Sequence, residues 1–275
     1  MATKIIIAAH KQYRMPTDPL YLPVQVGAAC NKDKDGNPVD LGFARDDSGE
    51  NISAKNPHFC ELTGLYWAWK NLPADALGLV HYRRYFGSKS AKKTEDLYDS
   101  ILTGEEAEKL LKKYRVLVPP KRNYYIETLY SHYAHTHYAE HLDETRRIIS
   151  EVCPEYLDSF DTVMGRRSGY MFNMCVMDRE LMDAYCTWLF SILFRLEDAL
   201  KAQEAELSFY QGRFYGRVSE IIFNVWLEQQ LKEGTLKEKE ICELPCLYTE
   251  KVNWVKKGTA FLSAKFLHKR YENSF

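Results

Sequence analysis

The chain has little to take it out of the cell. Met1-Ala-Thr-Lys leads into only five apolar residues, Ile5 to Ala9, and no apolar run elsewhere approaches the roughly 18 residues of a membrane span. Neither a secretory leader nor a spanning helix is therefore expected, and a cytoplasmic protein is the simplest reading. Seven cysteines, an odd number at irregular spacings (30, 60, 153, 175, 186, 242 and 246), make neither a disulfide framework nor a zinc pattern. Excess charge of one sign is lacking too: 37 basic side chains face 38 acidic ones, so no global field recruits nucleic acid. Internal repeats and low-complexity tracts are absent.

What remains is a chain of 275 residues, 45% hydrophobic, long enough to bury a full core. Lys4-Ile-Ile-Ile-Ala-Ala-His10 has the β-branched character of a buried first strand, and a loop with Pro16, Pro19 and Pro23 comes next. Residues 31 to 56 are polar and too long for an ordinary connector, which points to an ordered substrate loop. Asn31, Asp33, Asp35 and Gly36 imitate the start of a calcium loop, but Gly42 stands where the bidentate Glu should be. Asn56-Pro57 begins a helix whose apolar positions, Leu62, Leu65, Tyr66 and Trp69, recur at helical spacing.

The most informative stretch is Leu77-Gly-Leu-Val-His-Tyr-Arg-Arg-Tyr-Phe86. A short apolar run ends in an imidazole, two guanidiniums and three aromatic rings. It reads as a buried strand delivering Arg83 and Arg84 to an anionic ligand, since open α/β sheets bind ligands at the carboxyl ends of their strands and guanidinium forks suit phosphate. The competing reading is one structural ion pair, one solvated arginine, and three rings packed as core.

Further on, Thr103 and Glu106 form a capping box for a helix to about Lys113, and Arg115 to Val118 is a short strand. Residues 124 to 150 read as mainly helical and hold His132, His135, His137 and His141. No complete metal-ligand set is visible there, so structural or substrate-contacting roles are favoured. Gly169 to Met177 reads as a central strand with one polar intruder, Asn173, and Asp178 caps a long helix. A later helix, Arg217 to Lys232, is apolar except for the line Arg217, Glu220, Asn224 and Glu228, which is either a solvated face or one wall of a polar cleft. From Lys251 to Arg270 there are six Lys or Arg residues and no acid, interleaved with Trp254, Phe261 and Phe266. That tail, 251–275, is set apart from a domain over 1–250, either as a segment for an anionic membrane surface or as a docked terminal helix.

Taken together, the N-terminal Ile-Ile-Ala-Ala-His-Lys, Asp46-Asp-Ser-Gly-Glu-Asn-Ile-Ser53 with Lys55-Asn56, Glu61-Leu-Thr-Gly-Leu-Tyr-Trp-Ala-Trp-Lys-Asn71 and His81-Tyr-Arg-Arg-Tyr-Phe86 resemble the bacterial capsular and exopolysaccharide glycosyltransferases long catalogued only as a domain of unknown function. Gly169 to Met177 and Gly216 to Asn224 fit the same family, and the resemblance covers about residues 4 to 230. It implies an α/β fold, a GT-A-like nucleotide-sugar-binding sandwich with a mostly parallel central sheet and a helical C-terminal part. The implied partners are a nucleotide-sugar donor, with UDP-galactose in pyranose or furanose form leading, and a glycan or lipid-linked oligosaccharide acceptor.

Enzymes of GT-A type usually hold a divalent metal with an Asp-x-Asp after the donor-binding strand. Here His81-Tyr-Arg-Arg84 stands in that place, and the literal Asp33-Lys-Asp35 lies in the polar loop. No metal cofactor is expected, because fixed guanidiniums can stabilise the leaving diphosphate as a metal would. On the resemblance Ala8, His10 and Lys11 border the nucleotide, and Asp47, Asn51, Asn56 and Glu61 contact ribose or sugar hydroxyls. Arg83 and Arg84 clamp the pyrophosphate while His81 orients one of them. Glu220 is the general base, with His137, Asn173 and Arg213 as acceptor contacts. A non-catalytic phosphate- or glycan-binding module would use the same arginines, and a nucleotidyltransferase would need acidic metal ligands that the sequence does not offer.

Overall fold

The structure, a computed structural model, describes residues 2–90 and 94–250. The basic segment expected over 251–275 lies outside the described residues. Those described fall into two compact units, one formed by residues 2–120, 172–186 and 236–250, the other by 121–171 and 187–235.

The first unit is built on a nine-stranded sheet. In chain order its strands are β1 (Thr3–Ala9), β2 (Tyr21–Gln25), β3 (Ala44–Arg45), β4 (Ala76–His81), β5 (Arg84–Phe86) and β6 (Val116–Val118). Two strands, β7 (Arg122–Asn123) and β8 (Ser168–Gly169), belong to the second unit, and β9 (Cys175–Asp178), β10 (Ile241–Glu243) and β11 (Cys246–Tyr248) complete the sheet. The main path runs β10-β6-β9-β4-β1-β2-β3, in which only β9 opposes its neighbours. The central sheet is thus mostly parallel, as expected, with β5 and β11 added antiparallel beside β4.

Several elements differ from the sequence-based expectation for identifiable reasons. β2 carries Pro23 in a segment that reads as loop. Val26 N–H donates to the Ala9 carbonyl, so by strand alternation the N–H at 23 would point away from β1. There β3 pairs only with Val24 and Gln25, so no ladder bond is lost at the proline. The helix expected from Asn56 is two, α1 (Asn56–Phe59) and α2 (Leu62–Asn71), broken where Cys60 takes a left-handed φ of 54°. The capping box at α3 (Gly104–Leu111) is only half formed: Thr103 accepts from Glu106 N–H, but the Glu106 carboxylate accepts from Lys89 N–H instead.

The strand expected over 169–177 is a third departure. Its middle is a turn in which Phe172 (φ 75°) and Asn173 (φ 54°) are both left-handed, so β8 and β9 are separate strands in separate sheets. Two such residues cost about 1–3 kcal/mol each, strain that tends to collect where a site is built.

α2 covers one sheet face through Gly64, where a Cβ would sit 2.8 Å from the Val26 side chain. The other face buries Ile5, Ile7, Val80, Tyr85, Phe86 and Leu117 beneath Ala107 and Leu111 of α3. Each such aliphatic burial is worth about 1.5–3 kcal/mol. Gly78 lets β9 approach β4, since a Cβ there would lie 2.8 Å from the Cys175 carbonyl.

The second unit is helical: α4 (Leu129–Thr136), α5 (Ala139–Val152), α6 (Leu157–Met164), the later part of α7 (Arg179–Glu204) and α8 (Phe214–Glu233). Asp178 caps α7 as the sequence indicates, its carboxylate accepting from Leu181 N–H at 2.9 Å. α8 is a core helix, with Val218, Ile222, Val225 and Trp226 at most 1% exposed.

Candidate functional site

β1 and β4 run parallel with Ala8 opposite His81, so their carboxyl ends lie side by side. The chain leaves β1 through His10 and Lys11, and leaves β4 through a tight turn, Tyr82-Arg83, into β5. Arg83 and Arg84 therefore do not extend the strand: Arg83 sits in the hairpin turn and Arg84 opens the returning strand. The aromatic residues of the motif order this corner. Tyr13 stacks on Tyr82 with ring centres 3.8 Å apart, and His10 meets the Tyr82 ring edge-on at 5.1 Å. Lys11 lies over the Tyr13 ring.

Arg84 is gripped by two faces, its guanidinium lying 4.5 Å from the centre of Phe172 and 5.7 Å from that of Tyr248. Its Nε is buried without a hydrogen-bond partner among the described residues. A buried donor in that state is one that a water or an anionic ligand can satisfy. Arg83 has a looser setting, over the Tyr82 ring and 3.5 Å from the exposed carboxylate of Glu250.

The strained turn at 172–173 supplies the rest. The Phe172 carbonyl lies 2.6 Å from His81 Nε2, which must donate the proton, leaving Nδ1 as the acceptor. Burial and the neighbouring guanidiniums hold the His81 pKa below its ordinary value, against the pull of Glu61 and the Phe172 carbonyl. His81 is thus neutral near pH 7 and adds no charge to those of Arg83 and Arg84. Asn173 is buried and donates to Glu61 at 2.8 Å. The sheet unit therefore gathers Ala8, His10, Lys11, Glu61, His81, Arg83, Arg84 and Asn173 around the ends of β1 and β4.

The other expected donor contacts have structural partners. Asp47 makes a two-pronged ion pair with Arg45 at 3.0 and 2.6 Å. Asn51 is exposed and folds onto its own loop, donating to the Gly49 carbonyl and accepting from Ser53 N–H. Asn56 donates to the Cys60 carbonyl and the Thr63 hydroxyl, holding the break between α1 and α2. Sequence reasoning overlooked Asp46 as the organiser of the polar loop. It is fully buried and accepts from Gly27 N–H, Ala28 N–H, Ser53 Oγ and Thr63 Oγ1. The calcium-like start is a local turn, with Asp33 accepting from the backbone N–H groups of Asp35 and Asn37.

In the helical unit three members of the polar line on α8 are tied to neighbouring groups. Arg217 donates to the Tyr210 carbonyl, Asn224 pairs with both backbone groups of Tyr170, and Glu228 binds Arg166 at 2.7 Å. Glu220 is half-buried on the same line; burial first of all, and the Glu220 charge to a lesser degree, raises the pKa values of Tyr124 and Tyr133. His137 ends α4 and is buried, its Nδ1 2.9 Å from Gln211 Oε1, which places it inside the unit and not at a surface. Burial, then Arg217, holds its pKa well below the ordinary value. Arg213 precedes α8 with its guanidinium over the Phe209 ring. Among the described residues, no group of three or more His, Cys, Asp or Glu side chains is arranged to hold a metal ion. Nor is any described helix long and apolar enough to cross a membrane.

A family model described as a domain of unknown function (DUF4422) matches residues 4–231. The chain belongs to that family. Among solved structures, the apo form of the bifunctional glycosyltransferase WbbM matches with a TM-score of 0.79 and 29% identity, over 91% of this chain and 46% of that one. This DUF4422 chain thus spans less than half the length of WbbM, and its fold is that of a glycosyltransferase. A comparison with curated proteins found no match.

Proposed function

We propose that this DUF4422 protein transfers a sugar from a nucleoside-diphosphate donor to a bacterial surface glycan. The observation that carries the reading is half-buried Arg84, whose buried Nε has no hydrogen-bond partner among the described residues, at the carboxyl end of a mostly parallel sheet whose fold matches a glycosyltransferase. The pyrophosphate lies against Arg84 and Arg83, displacing the weak contact to Glu250. Negative charge grows on the leaving diphosphate in the transition state, and two fixed guanidiniums stabilise it there without reorganising. The rings of Phe172 and Tyr248 hold Arg84 flat, and neutral His81 keeps the turn in place without adding repulsion.

In this reading the arginines take the electrostatic role that a divalent metal plays in related folds, so transfer is metal-independent. Glu220 removes the proton from the acceptor hydroxyl. The donor is UDP-galactose, in pyranose or furanose form, and the acceptor is a growing capsular or exopolysaccharide chain or a lipid-linked glycan at the cytoplasmic membrane face. The test is to incubate the chain with a panel of UDP-sugars and measure UDP release with and without chelator. Release from none of them, alongside binding of UDP, favours the phosphate-binding module instead.

A further inference from the structure

The segment 121–135 holds two of the clustered histidines, yet the transferase reading leaves it without a role. Its backbone is anchored: Tyr124 N–H donates to the Arg167 carbonyl, Leu129 N–H to the Arg166 carbonyl, and the Arg167 side chain to the Tyr125 carbonyl. Within that frame Tyr125 is left-handed (φ 55°), a conformation costly for a bulky residue. The fixed, strained turn sends apolar groups outward, leaving Tyr125 77% and Ile126 56% exposed. It sends Glu127 inward to 3% exposure.

Glu127 receives two imidazoles from α4, His132 Nδ1 at 3.1 Å and His135 Nδ1 at 2.5 Å. Both rings therefore carry a proton on Nδ1, and in the neutral form of His135 the acceptor lone pair is on Nε2. The two are not equivalent. The His132 side chain is 14% exposed and lies against Tyr124, ring centres 4.2 Å apart, whereas the His135 side chain is 36% exposed. A buried carboxylate that fixes Nδ1 of a partly exposed imidazole sets the direction in which the ring's other nitrogen points.

We propose that residues 124–135 form an acceptor-sugar subsite, in which Tyr125 lies against the C–H face of a sugar ring and His135 Nε2 accepts a hydrogen bond from a sugar hydroxyl. The choice of a glycan rests on the transferase reading, and its chemistry matches what is displayed: a ring with an apolar face and a rim of O–H donors. Glu127 is the positioning residue, fixing the tautomer of His135. Glu220, which belongs to the same unit, is the base this subsite would serve.

The test uses the full chain on a printed array of bacterial surface polysaccharides, comparing wild type with Tyr125→Ala, His135→Ala and His135→Gln. Retention should fall about tenfold or more in both alanine variants, as for an anchoring contact, while thermal unfolding matches wild type. His135→Gln, whose amide oxygen can reach the Nε2 position, should recover part of it. Equal retention by both alanine variants, or no glycan retained by the wild-type chain, would overturn the proposal. UDP-sugar turnover is measured separately: its absence removes the transferase reading, while glycan retention through Tyr125 and His135 is judged on the array alone.

Discussion

Replacing Arg84 tests the donor site most directly. Its guanidinium lies 4.5 and 5.7 Å from two ring centres, contacts worth about 0.5–2 kcal/mol when partly desolvated. Arg84→Ala should therefore destabilise the chain by about 1 kcal/mol, a few degrees in melting temperature, without unfolding it. Its catalytic cost is larger. Removing a preorganised charged donor from the place where charge develops costs about 3 kcal/mol, or about a hundredfold in rate. Arg84→Lys should recover little, because an ammonium keeps the charge but lacks both the planar face that the rings hold and the Nε–H. Arg83→Ala should also lose turnover, with stability nearly unchanged, since its contact to exposed Glu250 is worth at most about 1 kcal/mol. The assays are steady-state UDP release and calorimetric titration with UDP. Wild-type affinity and turnover in both alanine variants would refute the reasoning, whatever happened to stability.

Activity should survive excess EDTA; abolition by EDTA with rescue by manganese would mean that carboxylates outside the proposed donor corner hold a metal. Glu220→Gln preserves shape and hydrogen bonding but removes the base, so transfer should drop by roughly two to four orders of magnitude while UDP binding persists, and near-normal transfer would pass the role to another carboxylate. Stability should decline as pH falls below about 6.5, because burial depresses His132 to about 4 and the unfolded chain therefore takes up protons first. For His132 alone the loss between those values is at most about 3 kcal/mol, and a urea midpoint that is flat from about pH 7.5 to about pH 4.5 would contradict it.

The corner at the ends of β1 and β4, proposed to bind the donor, was legible in the sequence because its parts announce themselves locally. An apolar run that stops at His10 or His81 marks the end of a buried strand, and any charge just beyond it is delivered there. The path of the chain past that point was not legible: the hairpin that turns Arg84 back into β5 depends on pairing with β11, some 160 residues later in the chain. The same limit explains the broken strand at 172–173 and the broken helix at Cys60. Hydrophobic periodicity registers which face a residue occupies and is blind to the sign of φ, so a non-glycine residue held left-handed by tertiary partners leaves no trace in it. Asp46 looks like any loop acid until residues 27, 28, 53 and 63 close around it.

The histidines make the sharpest case, because four of them lie within ten positions in similar local company, and burial separates them. His141 ring-stacks on Phe214 and His137 closes α4 against Gln211, while His132 and His135 share one carboxylate. Helical spacing places His132 and His135 on neighbouring positions of one face and thus allows a shared partner. It does not reveal that the partner is Glu127, which precedes the helix and reaches it only because Tyr125 is bent into a conformation its side chain disfavours. An outward aromatic and an inward acid two residues apart are two consequences of that one strained turn, so the positive φ at Tyr125 links the exposed ring to the oriented imidazole.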